Sequence, residues 1–401
     1  MKKEVKLIIM GWLLGVLGLF LYSFTQIDLN LTLTRLDIWQ PIQKFFQTIG
    51  YFQRPLSVFL YLLILTILFL SYFLIVEVVK KGRLKNQWLW ILIFLTAGLL
   101  WLAYNAFSYD LFNYIFDAKI VTHYGLNPYQ YRALDFPGEP MLGFMHWTHR
   151  LYPYGPSWLV FTIPLSFFGL QKFLPTMFLF KGLVVFSYLA SSWLVFKLLE
   201  KTNSRQKWLG LAIFAFNPLI IIESLVSAHN DILMMALVLG SFYLLVKKKY
   251  LGAWGLFLLS VGVKFATLLL FPILLIVTFW QIKKKKTDWE NIWLFSFFLM
   301  VLAVLLAVGR DELKPWYLLY PLSFLPLLKS RWFYWVSLGL SLGGLLYYAP
   351  FLWHGHWNPP VPGLKMSLVL GLFVLGLVIG FWQDSKGLVS TAKKLRRCVR
   401  I

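Results

Sequence analysis

Acidic residues are scarce in this chain: 16 Asp plus Glu among 401 residues, against 38 Lys plus Arg. Charged side chains make up only 13% of the total, about half of what a water-soluble domain carries, which excludes the soluble globular classes. The single cysteine, Cys398, excludes an intrachain disulfide framework and a multi-cysteine zinc site. The terminal CVRI places an Arg in an aliphatic slot and is not read as a prenylation signal. There is no P-loop, nucleophile elbow, HExxH or dinucleotide fingerprint in a usable setting, which argues against soluble nucleotide-driven chemistry. Internal repeats, low-complexity tracts and a soluble domain are also missing.

Apolar residues make up 59% of the chain and aromatics 19%. That is enough for about twelve membrane spans at about 20 residues each. The predicted fold is therefore an all-α polytopic membrane protein of about 12 transmembrane helices. Apolar stretches fall near 7–25, 56–79, 88–107, 173–198, 208–225, 231–246, 250–264, 265–282, 289–308, 316–328, 332–350 and 364–382. The first follows a basic start without a cleavage site and reads as a retained helix. A piece near 157–170 is short and reads as re-entrant or interfacial. With the amino terminus cytoplasmic, Lys2, Lys3, Lys6, Lys80, Lys81, Arg83, Lys85, Lys197, Lys201, Arg205, Lys207, Lys247 to Lys249, Lys283 to Lys286, Lys329, Arg331 and six basic residues of the tail share the cytoplasmic side. They are 26 of the 38, the positive-inside pattern, and both termini are expected in the cytoplasm. Most of the net charge of +22 is thus topological.

The same parity places 26–55 and a long segment, 108–153, outside. In the former, Ile38, Ile42, Phe45, Phe46 and Ile49 recur at helical spacing and predict a helix lying in the interface. The latter is dense in Tyr, Trp, His, Asp and Pro, so it should be ordered and pack onto the bilayer surface. Asp110 stands where the third span leaves the membrane, beside Tyr109 and Asn113. An ionisable group at that depth is functional by default, the alternatives being a helix cap or an ion pair. Asp117, seven residues on, shares its helical face, and pairing with Lys119 or Arg132 explains it equally well. His146 and His149 are spaced to suit a metal but have no nearby third ligand, so packing in the interface is the better reading.

His229, Asn230 and Asp231 form a polar triplet at an outer turn. It reads either as a sugar- or phosphate-orienting group or as a helix N-cap. Lys264 interrupts an apolar stretch over 251–282 and is expected at a turn between two short helices, where its ammonium needs an anion such as a lipid phosphate, unless it snorkels to the headgroups. Arg310 is a second candidate phosphate ligand, with Asp311 and Glu312 close enough in sequence to neutralise it. Trp316 and Tyr317 suit an aromatic belt or a sugar platform.

The ordered set SYDLFNY, GLNPY, LYPYGPSW, NPL, SAHND, GVKFATLLLFP and KPWYLLYPL resembles the glycosyltransferase C (GT-C) superfamily of polytopic enzymes that use polyprenyl-phosphate sugars. Within it, the similarity is to bacterial polyprenol-phosphate-mannose-dependent mannosyltransferases, over roughly 88–330. The resemblance implies that Asp110 is the catalytic base on an acceptor hydroxyl, and that transfer inverts the anomeric carbon. It also implies that Lys264 and Arg310 meet the donor phosphate, an electrostatic role. Asn113, Asp117, His146, Tyr152, Tyr154, His229, Asn230, Asp231, Trp316 and Tyr317 are the expected sugar- or acceptor-binding residues. Related proteins often carry His or Gln before the Pro-Trp-Tyr motif, where this chain has Lys314. Some superfamily members require a divalent ion; no metal or other cofactor is predicted here beyond the polyprenyl-phosphate hexose itself.

The expected organisation is two N-terminal helices with an outer amphipathic segment (1–87), a GT-C-like catalytic module (88–330) containing the outer loop 108–156, and C-terminal helices with a basic tail (331–401). The expected function is transfer of a hexose, most plausibly mannose, to an extracytoplasmic glycan or glycolipid of the cell envelope. Membrane lipid, and not nucleic acid, is the expected partner. The rival reading is a transporter or flippase of lipid-linked sugars. Transporters usually show internal repeats and ionisable groups at the bilayer midplane.

Overall fold

The computed structural model describes the backbone of residues 2–398 and the side chains of 2–383 except Arg331. The basic tail, Arg331 and Cys398 therefore lie outside the described side chains. Among the described residues the fold is entirely helical, with no strand. The helices are α1 (Lys3–Ser23), α2 (Trp39–Gln47), α3 (Arg54–Lys80), α4 (Asn86–Trp101), α5 (Asp110–Thr122), α6 (Pro156–Phe168), α7 (Phe173–Thr202), α8 (Lys207–Ala215) and α9 (Pro218–Ile221). They continue as α10 (Asp231–Val246), α11 (Tyr250–Val261), α12 (Phe271–Ile282), α13 (Trp289–Arg310), α14 (Leu319–Phe324), α15 (Arg331–Leu346), α16 (Ala349–His354) and α17 (Val361–Cys398).

Among the described residues, seven helical segments are long and apolar enough to cross a membrane: Lys3–Gln26, Arg54–Lys80, Phe173–Thr202, Phe265–Ile282, Trp289–Arg310, Trp332–His354 and Val361–Gln383. An eighth forms if the pair Ser204–Ala215 and Pro218–Val226, bent by 55°, counts as one span. The remaining apolar stretches depart from the expected twelve for local reasons. The 316–328 stretch contains Pro321 and Pro326 and is divided among short helical pieces, because proline lacks the N–H that a continuous helix needs. Helices α4 and α10, at 16 residues each, rise about 24 Å and fall short of a hydrocarbon core of about 30 Å. The 13-residue α6 is shorter still, about 20 Å.

Pairs α1 with α3, α10 with α7 and α11, and α15 with α17 form the packed bundle. The amphipathic α2 turns polar Gln43 inward, where its Nε2 donates to the Leu31 carbonyl at 2.7 Å, while Ile38, Ile42 and Phe45 face outward. That is the orientation of a helix lying on a bilayer.

Three local features bring the segment 108–156 to the bundle. Phe107 (φ 69°), just before α5, and Ala228 (φ 54°), just before His229, adopt the left-handed backbone conformation that non-glycine residues avoid, and such outliers concentrate at functional sites. The ammonium of Lys181, fully buried on α7, donates to the Ala103 carbonyl at 2.6 Å and so holds the chain between α4 and α5. Finally, Gly155 N–H donates to Val263 O at 3.1 Å and Ser157 N–H to Gly262 O at 2.8 Å, fastening the end of the loop to the link before Lys264.

This last junction has no room for a side chain: a Cβ on Gly155 would stand 2.2 Å from the Gly262 carbonyl oxygen. Gly155→Ala should therefore separate loop from link, lowering the melting temperature in detergent and reducing activity at the site described below. A variant with an unchanged melting curve would show that the junction yields freely.

Candidate active site

Helix α5 starts at Asp110 because Ser108 Oγ accepts the Asp110 backbone N–H at 3.2 Å. The Asp110 carboxylate makes no capping hydrogen bond of its own and is 15% exposed. Across from it stands His229, whose Nε2 lies 3.9 Å from Oδ2. Neither alternative role for this aspartate, cap or tight ion pair, is taken up.

Opposite α5 stands the turn 227–231. Asp231 is fully buried, yet each of its oxygens is engaged: Lys264 Nζ donates to Oδ2 at 2.7 Å and Tyr320 Oη to Oδ1 at 2.7 Å. Lys264 also lies 5.4 Å from the Tyr154 ring centre, a cation–π distance. The anion that Lys264 needs is thus supplied within the chain, while its side chain keeps 17% exposure. Asn230 precedes α10 but does not cap it; both its side-chain amide atoms are buried without a partner. Asn113 Oδ1 is likewise buried and unpartnered. Buried polar groups are normally hydrogen-bonded, so such a cluster beside a free carboxylate is what a site for a polyhydroxylated ligand requires.

Asp117 has no ion-pair partner among the described residues, because Lys119 pairs with Glu139 at 2.7 Å and Arg132 with Asp135 at 3.2 Å. Desolvation first, and then the charge of Asp110, push its carboxyl well above the usual range. His146 stacks face to face on Tyr109 at 3.7 Å, and His149 sits edge-on to Trp147. Among the described residues no group of three or more His, Cys, Asp or Glu is placed to hold a metal ion. Tyr152 is buried and donates to the Gly155 carbonyl at 2.9 Å, a structural contact in the loop. Trp316 stacks on His229 at 4.1 Å, and Tyr317 packs edge-on against Trp316.

Arg310 ends α13, exposed, with no carboxylate within ion-pair distance among the described residues. Its sequence neighbours turn elsewhere: Glu312 binds Lys314 at 2.5 Å and also Lys365 and the Tyr347 hydroxyl, while Asp311 lies 3.8 Å from Lys314. Burial raises the Glu312 carboxyl, but the two ammonium groups outweigh it and hold it down to about 2. Of the two cations expected at a phosphate, Arg310 is therefore the uncompensated one.

Sequence reasoning passed over Ser108, Tyr320 and Glu223. Glu223 is fully buried in a π-helical turn after α9 and accepts from Tyr348 Oη at 3.0 Å. The signal was present, since an acid inside the apolar run NPLIIIESLV is expensive unless used.

The fold and site define a class: an all-α multi-pass membrane protein with a carboxylate-centred polar site. A family model described as Alpha-(1->6)-mannopyranosyltransferase, N-terminal domain, matches residues 12–280, and the chain belongs to that family. The match includes Asp110, Glu223, His229, Asp231 and Lys264 and stops before Arg310. Among curated proteins, Alpha-(1->6)-mannopyranosyltransferase A of Corynebacterium glutamicum is 24% identical over 169 residues, 41% of this chain and 34% of that protein. The match thus spans about a third of the relative's length. No solved structure matches.

Two measurements check this electrostatic picture. A carboxyl raised in the folded state favours unfolding as it ionises, so Asp117→Asn should raise the melting temperature, more at pH 8 than at about pH 4, where the unfolded group has begun to protonate. Equal shifts at both would remove the claimed desolvation. Lys264→Met should destabilise by about 3–5 kcal/mol, the cost of stranding a buried charge, and adding Asp231→Asn should recover part of it. Additive losses would mean that the two do not act as a pair.

Proposed function

We propose that this protein is an inverting glycosyltransferase that moves mannose from a polyprenyl-phosphate donor to a hydroxyl of an extracytoplasmic glycan or glycolipid. The observation that carries the proposal is the Asp110 carboxylate: partly exposed, unused as a cap, and facing a turn whose Asn230 amide has no partner. Membership of the mannopyranosyltransferase family supplies the sugar and the transfer chemistry.

Asp110 takes the proton as the acceptor oxygen attacks C1 of the sugar. The C1–O bond to phosphate breaks on the opposite face, and polyprenyl phosphate departs with the electron pair. Arg310, and Lys264 within its pair with Asp231, offset the charge that develops on that phosphate. Asn230, Asn113 and Asp117 line the sugar or acceptor, with Tyr154 behind Lys264. No residue here is assigned to a metal. The site faces the extracytoplasmic side, with both termini cytoplasmic, in keeping with the distribution of basic residues.

Asp110→Asn should lower transfer from a polyprenyl-phosphate mannose by at least about a hundredfold, the lower end of general-base contributions, while donor binding and the melting curve stay unchanged. Wild-type transfer by that variant would remove Asp110 as the base. Wild-type protein inactive with every polyprenyl-phosphate hexose, yet moving such lipids across vesicle membranes, would favour the transporter reading.

A further inference from the structure

Glu223 is fully buried and stands behind the imidazole that approaches Asp110. His229 Nδ1 lies 3.0 Å from Glu223 Oε2 and 3.3 Å from the backbone oxygen of the same residue. Both atoms are acceptors, so Nδ1 carries the hydrogen and Nε2 of the neutral ring presents a lone pair. Nε2 is 3.1 Å from Ser108 Oγ, which in turn accepts the Asp110 N–H, and 3.9 Å from the Asp110 carboxylate. The ring is fully buried and held flat against Trp316. Both ring nitrogens are engaged inside the protein.

Glu223 is anchored on its far side by Tyr348 Oη, while Oε2 receives no aligned hydrogen bond and has His229 Nδ1 as its nearby charged-pair atom. Catalytic hydrogen bonds are often poorly aligned before substrate binds. Among the described residues the charged groups paired with the imidazole are both carboxylates, Asp110 and Glu223; Lys264 is taken by Asp231. An imidazolium formed here would sit between two anions.

We infer that His229 receives from Asp110 the proton taken from the acceptor hydroxyl, and that Glu223 is the positioning residue that fixes the ring's tautomer and balances its charge. The inference rests on the transferase reading above. The steps balance: the acceptor O–H bond breaks as its proton passes to Asp110. The Ser108 hydroxyl turns away from Nε2, and a closing movement of about 1 Å brings Oδ2 to hydrogen-bond distance of the freed lone pair. The proton then crosses, leaving Asp110 ionised and His229 positively charged against Glu223. Between turnovers the proton returns through Asp110, the solvent-exposed member of the chain, to water. This assigns His229 a proton-handling role in place of direct sugar contact.

The test uses full-length protein in detergent, a polyprenyl-phosphate mannose as donor and an octyl-linked α-(1→6)-dimannoside as acceptor probe. Glu223→Gln should lower kcat at least about tenfold near pH 6, with KM for both substrates within about threefold. The deficit should shrink by about threefold or more toward pH 9, where hydroxide can take the proton from Asp110 directly. His229→Gln should show the same pH-dependent loss, and the double variant should be no slower than the worse single, since residues acting as one unit are non-additive. If Glu223→Gln does not fold, the profile of His229→Gln carries the test. A loss equal at all pH values, or additive singles, would make both residues merely structural and overturn the inference. Failure of wild type with all donors would instead overturn the transferase reading. Wild-type activity with an inactive Asp110→Asn and an unimpaired Glu223→Gln would sink this inference alone.

Discussion

The buried pair between Asp231 and Lys264 is the interaction on which the site depends. A carboxylate with no exposure inside an apolar bundle is tolerable only if its charge and its lone pairs are answered, and Lys264 and Tyr320 answer both oxygens. In doing so they join three parts of the chain: the start of α10, the link after α11 and helix α14. The link in turn receives the end of the 108–156 loop through Gly155 and Ser157. One ion pair therefore sets the distance between the loop that carries Asp110 at its start and the turn that carries His229 and Asn230.

Around that pair, polar groups fall into two sets. Some are fully consumed by structure: Lys181 on the Ala103 carbonyl, Glu139 on Lys119 and Tyr124, and Glu312 on two lysines and Tyr347. Others are left with free capacity: Asp110, Asn230, Asn113 and Arg310. Burying an unsatisfied polar atom costs free energy that a folded domain rarely concedes without use. The second set gathers beside Asp110 where the outer loop meets the 227–231 turn, apart from Arg310 at the end of α13.

Much of this was legible from one sequence. Long apolar runs announced a helical membrane protein, and the charge of Asp110 at a helix start in apolar surroundings marked it as a candidate for chemistry, while the turn holding Asp231 stayed open between a ligand-orienting group and a helix cap. Asp110 could be singled out because the chemistry of a lone acid at a helix start is local. Partnership could not be read. Lys264 looked like a cation in need of a lipid anion, and only folding showed Asp231, 33 positions away, at its ammonium. For Asp117, pairing with Lys119 or Arg132 explained it as well as a functional role did, and the loop gives those two cations to Glu139 and Asp135 instead. The span count was legible only coarsely, since hydropathy does not register where prolines break 316–328 or where a 16-residue helix stops short.

By itself the sequence determined the solvent this chain requires, the helical class and the small set of ionisable residues that apolar surroundings make costly, because those are properties of composition and local period. The tertiary structure decided which charges cancel and which remain. Asp231 and Lys264 neutralise one another, Glu312 is absorbed by Lys314 and Lys365, and Asp110 is left facing His229 with Glu223 behind the ring. Charge compensation depends on distances of a few ångströms between segments far apart in the chain, and those distances exist only once the helices have packed.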